Sequence, residues 1–232
     1  MNKRVLLILS LALTVLYAAI SAAGYGVSGE YGGIFYRLII IAALIYTCVC
    51  IFFVIVKKGV TDTLMGAALG LGTFAVNELY SFAYIYLLQG GASDITVGNY
   101  SRNCAYLFWM AAVFSLLPSF NKVLRTVVST LSAGAILLVF YGVVAGNSAL
   151  AVALLCILPA VYLTVKGDKT AKAFGLAVIA AGVLDSANRL MILFDPGLHW
   201  RDIILAFYPA VYLALGFASL CVAVKERGEA VS

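Results

Sequence analysis

The length of its uninterrupted apolar runs constrains this chain more than any other feature. Eight can be traced, at 5–23, 34–56, 63–88, 103–117, 123–144, 148–165, 171–194 and 203–224. Most approach or exceed the roughly 20 residues a helix needs to cross about 30 Å of hydrocarbon. The fourth is short unless Tyr100 or Ser101 begins it. The connections are brief and rich in turn formers, so residues 1–232 read as a single transmembrane domain. Composition agrees: 64% of the residues are hydrophobic and 11% charged, against about a quarter charged in soluble domains. A soluble fold of this sequence would lack a polar surface, whereas a lipid-facing surface needs none. The expected fold class is an all-α integral membrane protein with eight transmembrane helices. It would be a multi-pass protein of the plasma membrane, in contact with membrane lipid.

The positive charges give that reading a direction. Alternation from a cytoplasmic N-terminus leaves only Arg37, Arg102, Arg189 and Arg201 on the outer side, and the other eleven of 15 lysines and arginines fall inside. Such a bias is the usual signature of orientation, with both termini cytoplasmic. The net charge of +5 is spread between the runs rather than gathered into a patch, so no nucleic-acid partner is expected. Met1-Asn2-Lys3-Arg4, an apolar stretch and Ser21-Ala22-Ala23 also match a cleavable signal, which would leave seven helices. The run is long for a signal and the repeat described next requires it, so retention is the expectation.

Glu78 in the third run is followed by Asp94 and Tyr100, and Asp185 in the seventh by Asp202 and Tyr208. Each set closes a group of four runs, and Asn2-Lys3 and Asn121-Lys122 open the two groups. This predicts a 4+4 parallel internal repeat with halves at about 1–118 and 119–232. Chance similarity between apolar helices is the other explanation of these spacings.

Ionisable groups within the runs are the candidate site, because burying a charge in hydrocarbon costs several kcal/mol. Glu78, Asp185 and Arg189 qualify, all in the outer half of their helices. Asn77 and Ser81 share a face beside Glu78, and Asn188 and Arg189 share the face of Asp185. Arg37 should start the second helix and Arg102 precede the fourth, both at the same level, with Tyr208 adding a hydroxyl. Together these residues could form an outward-facing pocket for a small polar ligand, a lipid headgroup or an ion. Alternatively, Asp185 pairs with Arg189 within its own helix while Glu78 takes Arg37 or Arg102, which would lock helices together without a ligand.

Other features carry less. Gly66, Gly70 and Ala68, Gly72 form overlapping small-residue patterns for close helix approach. Pro209 should kink the eighth helix, and Trp109 fits a lipid-facing position. The five cysteines lie in apolar runs and read as small buried packing residues, with neither disulfides nor a metal site expected. The lone His199 cannot supply a two-histidine metal or haem site, and no cofactor is implied. Glu78 and Asp185 could form an acid dyad, yet neither carries a protease motif, so no catalytic residue is assigned.

Val76-Asn77-Glu78-Leu79-Tyr80 with Asp94 and Tyr100, and Val183-Leu184-Asp185-Ser186 with Asp202, Tyr208 and Tyr212, set a rhythm over about half the chain. It resembles the multi-helix membrane sensor (input) regions that precede diguanylate cyclase and histidine kinase domains. The resemblance implies a non-enzymatic sensor module or accessory subunit. With no output domain after Lys225, it would act through a protein partner or as a homo-oligomer. A small secondary transporter or channel using the buried carboxylates is the competing expectation.

Overall fold

The computed structural model describes residues 30–88, 96–117, 148–194 and 207–229, all of them helix or short connection. The runs at 5–23 and 123–144, and with them Asp94, His199 and Asp202, lie outside the described residues. Six helices are present: α1 (Glu30–Lys58), α2 (Asp62–Phe82), α3 (Thr96–Leu116), α4 (Ser148–Lys166), α5 (Lys169–Phe194) and α6 (Tyr208–Glu229). A π-helical turn, Ala83–Leu87, continues α2.

Local chemistry sets the ends. α1 stops at Gly59, whose φ of 88° is the left-handed conformation that glycine adopts most cheaply. Its N–H closes onto the Ile55 carbonyl at 2.7 Å. Thr61 then caps α2 by accepting the Leu64 N–H at 3.3 Å. Asp168 caps α5 in the same way, accepting N–H groups of Thr170 at 2.8 Å and Ala171 at 3.2 Å. Both hairpins therefore need only two or three linking residues.

The described helices form a closed ring. Each packs on its neighbour in sequence, α6 returns to α1, and α2 touches α6 across the middle while α3 touches α5. Antiparallel register between α2 and α3 follows from paired contacts. Thr63 and Ser115 hydroxyls meet at 2.6 Å at one end, and Ser101 reaches Asn77 at 3.5 Å at the other. α5 and α6 likewise meet through Asp168–Lys225 at one end and Asp185–Tyr208 at the other. Shifting the order by three helices maps α1–α2–α3 onto α4–α5–α6 and every one of these packing pairs onto another.

The centre is aromatic. Trp109 stacks on Phe74 with centroids 5.0 Å apart, Tyr106 meets both edge-on, and Tyr212 tilts against Phe74 at 5.1 Å. Trp109 is thus fully buried rather than lipid-facing. Glycine makes room for it, since a Cβ on Gly70 would collide with the indole and one on Gly66 would come within 2.8 Å of the Phe108 carbonyl. A Cβ on Gly72 would meet nothing, so only the first of the two small-residue patterns serves close approach here. Gly70→Val should therefore cost about 1–3 kcal/mol by overpacking. Gly72→Val should stay within about 0.5 kcal/mol of wild type; comparing their unfolding midpoints checks both.

The outside of the ring is as apolar as the inside. Phe52, Phe53 and Val56 on α1, Val76 on α2, Leu158 on α4 and Leu176 on α5 are all exposed. Among the described residues, two helices, through Arg37–Val56 and Lys169–Asn188, are long and apolar enough to cross a membrane.

Several sequence expectations are revised. α3 begins at Thr96, so Arg102 lies in its second turn instead of preceding it. Arg37 likewise lies inside α1, two turns past its start at Glu30. α6 begins at Tyr208, which puts Pro209 in the first turn, where a missing N–H breaks no bond and no kink is needed. Pro159 lies in the interior of α4. All five cysteines are free thiols, and only Cys156 is buried; Cys104 is exposed on α3.

At the α4–α5 turn, slight burial alone would raise the Asp168 pKa. The Lys225 ammonium, the Thr170 hydroxyl and two backbone N–H groups outweigh it and hold the carboxyl well below its usual range. A folded value below the unfolded one contributes stability above about pH 3.8, lost as the pH falls through that value toward the folded pKa. Asp168→Ala should cost about 1 kcal/mol at neutral pH, mostly as a lost cap. The half-exposed ion pair adds only a few tenths of that unit, about 0.3 kcal/mol. Asp168→Asn should retain most of the cap, and melting both variants between pH 3 and 7 checks the order.

Candidate functional site

Five helices bring their polar residues to one end of the ring. Glu78 sits in the last turns of α2, where the fold buries it together with Asn77 and Ser81. Arg37 of α1 donates from Nη1 to Glu78 Oε2 at 3.2 Å. Arg102 of α3 approaches Glu78 Oε1 at 3.7 Å through Nη2 and Asp185 Oδ1 at 3.2 Å through Nη1. One guanidinium thereby bridges carboxylates on α2 and α5. Both alternatives for Glu78 are realised together, since Arg37 and Arg102 each pair with it.

Asp185 is paired across the bundle. Its Oδ1 is ion-paired with Arg102 and accepts, at 2.8 Å, from the Tyr208 hydroxyl of α6. The side chains of Arg189 and Tyr100 lie outside the described residues. Asn77 donates a long 3.4 Å bond to Glu78 Oε1, while Ser81 is buried on the same helix and makes no bond to the cluster among the described residues. Asn188 is buried one turn beyond Asp185.

Burial decides how much these contacts matter. The Asp185 side chain is 1% exposed, Glu78 9% and Arg102 14%, whereas Arg37 at the rim is 27% exposed. Isolated charges at such depth would be prohibitive, so the pairing is a condition of the fold. Among the described side chains, two arginines face two carboxylates. Phe74 carries the bridge from below, with the Arg102 guanidinium 5.8 Å from its ring centroid. An arginine between Glu78 and Asp185 also separates them, which is the opposite of two carboxyls sharing a proton.

Beneath this layer the bundle closes. Phe74, Tyr106, Trp109 and Tyr212 fill the centre, and Tyr106 spends its hydroxyl on the Ala181 carbonyl at 3.2 Å. The scattered threonines do not make a polar path. Thr47 bonds back to the Ala43 carbonyl, Thr164 to Ala160, and Thr61 serves as a cap. Among the described residues, no group of three histidine, cysteine, aspartate or glutamate side chains could hold a metal ion.

The sequence reading missed three contributors: Phe74 as a platform, Trp109 as its stacking partner, and Tyr212. Spacing gave a usable hint, since Tyr208 and Tyr212 lie one helical turn apart. No protein-family model, curated protein or solved structure matches this chain.

Proposed function

We propose that this chain is a non-enzymatic, multi-pass protein of the plasma membrane. In this reading it is a sensor-like or accessory subunit, with eight transmembrane helices in a 4+4 parallel repeat and both termini in the cytoplasm. The observation that carries the reading is the Arg102 bridge between Glu78 and Asp185, seated on a solid aromatic plug. A paired cluster at one end of a closed bundle is suited to receiving a small polar ligand or a partner from outside. It ties α2, α3 and α5 together, so any disturbance of it is felt by three helices at once.

Several features support the membrane setting: the apolar exterior, the two span-length helices and a sequence only 11% charged. The Asp168–Lys225 pair lies at the end opposite the cluster, on the side to which the lysine-rich connections belong. The repeat is supported by the shift of three helices that maps each contact between the described helices onto another.

A secondary transporter would need polar lining on both sides of its site, and the aromatic plug disfavours it. If it were one, Glu78→Gln with Asp185→Asn should abolish flux in liposomes.

The direct test is extraction from the native membrane in mild detergent, with co-purifying chains identified by mass spectrometry. A stoichiometric partner, or a stable homo-oligomer, supports the subunit reading. A lone monomer that carries out flux on its own would overturn it.

A further inference from the structure

The first turn of α5 carries the wrong charge for a helix N-terminus. That end of a helix holds a partial positive charge and favours acids. α2, which the shift of three helices maps onto α5, follows the rule: Thr61 caps it and Asp62 opens it. α5 is capped in the same way by Asp168, yet it opens with Lys169 and has no acid in its first turn. Lys172 follows three residues on, beside Lys169 on the helix surface. Lys166 ends α4, with only Gly167 and Asp168 between the two helices. All three lysines are exposed. None makes an ion pair among the described residues, whereas Lys225 is taken by Asp168.

Their place in the fold supplies a reason that helix stability does not. Helical steps on from Lys172 lead to Leu176, Val183 and Leu190, all exposed, so the lysines end the apolar outer stripe of α5. On α4, Val161 and Val165 are exposed just before Lys166. The span-length segment Lys169–Asn188 begins at the first lysine of α5. In a bilayer the stripe meets acyl chains, and the lysines lay their stems along hydrocarbon while their ammonium groups reach the headgroup layer. Membrane orientation asks for positive charge on this side, but not for its placement at a helix N-terminus. By sequence, the cytoplasmic side carries eleven lysines and arginines against four acids, Asp62, Asp168, Glu226 and Glu229. Charge complementarity therefore selects an anionic surface.

We propose that Lys166, Lys169 and Lys172 bind the headgroup of an anionic phospholipid in the cytoplasmic leaflet. The proposal rests on the membrane reading and adds a lipid partner, held on the helix that also carries Asp185. The lysine side chains make the site; the N–H groups of α5 do not, since Asp168 already accepts from Thr170 and Ala171.

The test is intact-complex mass spectrometry of the full chain in non-ionic detergent, titrated with phosphatidylglycerol or phosphatidylcholine. Each lysine near an anionic surface contributes roughly a fivefold preference. Wild type should therefore bind its first phosphatidylglycerol at least about fivefold more tightly than phosphatidylcholine. A variant with Lys166→Gln, Lys169→Gln and Lys172→Gln should show no preference. A control with Lys57→Gln, Lys58→Gln and Lys122→Gln, which removes the same charge from the same side, should keep it. Equal loss in both variants would mean diffuse charge rather than a site, and no preference in wild type would mean no site; either overturns the proposal. In phosphatidylcholine nanodiscs the turn variant should melt no lower than wild type, and a fall of several degrees would make the lysines structural and overturn it. An acidic protein that co-purifies with wild type and is lost from the turn variant, without lipid preference, would also overturn it. Detergent exposes both ends of the bundle, so this result is independent of which end is cytoplasmic. Failure to enter nanodiscs would count against the membrane reading itself.

Discussion

Arg102→Leu is expected to destabilise the protein by about 3–5 kcal/mol, because it leaves a buried carboxylate without its cation. Of its partners among the described residues, Asp185 would keep the Tyr208 hydroxyl. Glu78 would keep Arg37 and the long Asn77 bond, so the damage falls mainly on the α3–α5 contact. Adding Asp185→Asn should recover about 1–3 kcal/mol, since the two residues act as one unit. Arg102→Lys should fall between, because a single ammonium cannot reach two carboxylates as a planar fork does. Unfolding in mixed micelles gives all three values. An Arg102→Leu protein within about 1 kcal/mol of wild type would mean that the bridge holds nothing together.

Trp109→Ala should cost about 3–5 kcal/mol, the range for emptying a large aromatic site in a packed core. Its indole fills the space that Gly70 leaves and stacks on Phe74, on which Arg102 sits, so the loss should also loosen the polar layer. Trp109→Phe gives the discriminating comparison. Nε1 has no hydrogen-bond partner, so the phenyl ring loses volume but no bond. Its cost should stay below about 1.5 kcal/mol. Equal damage from both substitutions would mean that the indole N–H, and not the stack, is what the core requires.

How far the residues themselves disclose this arrangement depends on the range of the interaction. Apolar periodicity and end chemistry act locally, so six of the runs emerge as helices close to their expected limits. The caps at Thr61 and Asp168 follow from residue type alone. Interactions along one helix can also be listed from spacing, as with Asp185 and Asn188, both buried on α5. Contacts across the bundle depend on how the helices are arranged in the ring. Arg102 reaches Asp185 only because α3 and α5 touch across the ring, inside α4, and no spacing announces that. Trp109 illustrates the same limit. In an apolar helix every face looks alike, and what turns the indole inward is the notch at Gly70 on a different helix. The start of α3 is hidden for a simpler reason. Its first turns, Thr96 to Arg102, are polar, so hydropathy places the boundary where the apolar residues begin.

Sidedness is the most direct test of the claim that the polar cluster faces outward from a membrane. Leu88, at the end of the π-helical turn, and Val60, in the α1–α2 hairpin, are both exposed and lie at opposite ends of α2 and its extension. Each would be changed to cysteine, Leu88→Cys or Val60→Cys, in a background lacking the five native thiols, and treated with a membrane-impermeant maleimide. The account predicts that intact cells label only Leu88→Cys, and that inverted vesicles label only Val60→Cys. Labelling of both from the same side, or the reverse order, would contradict it.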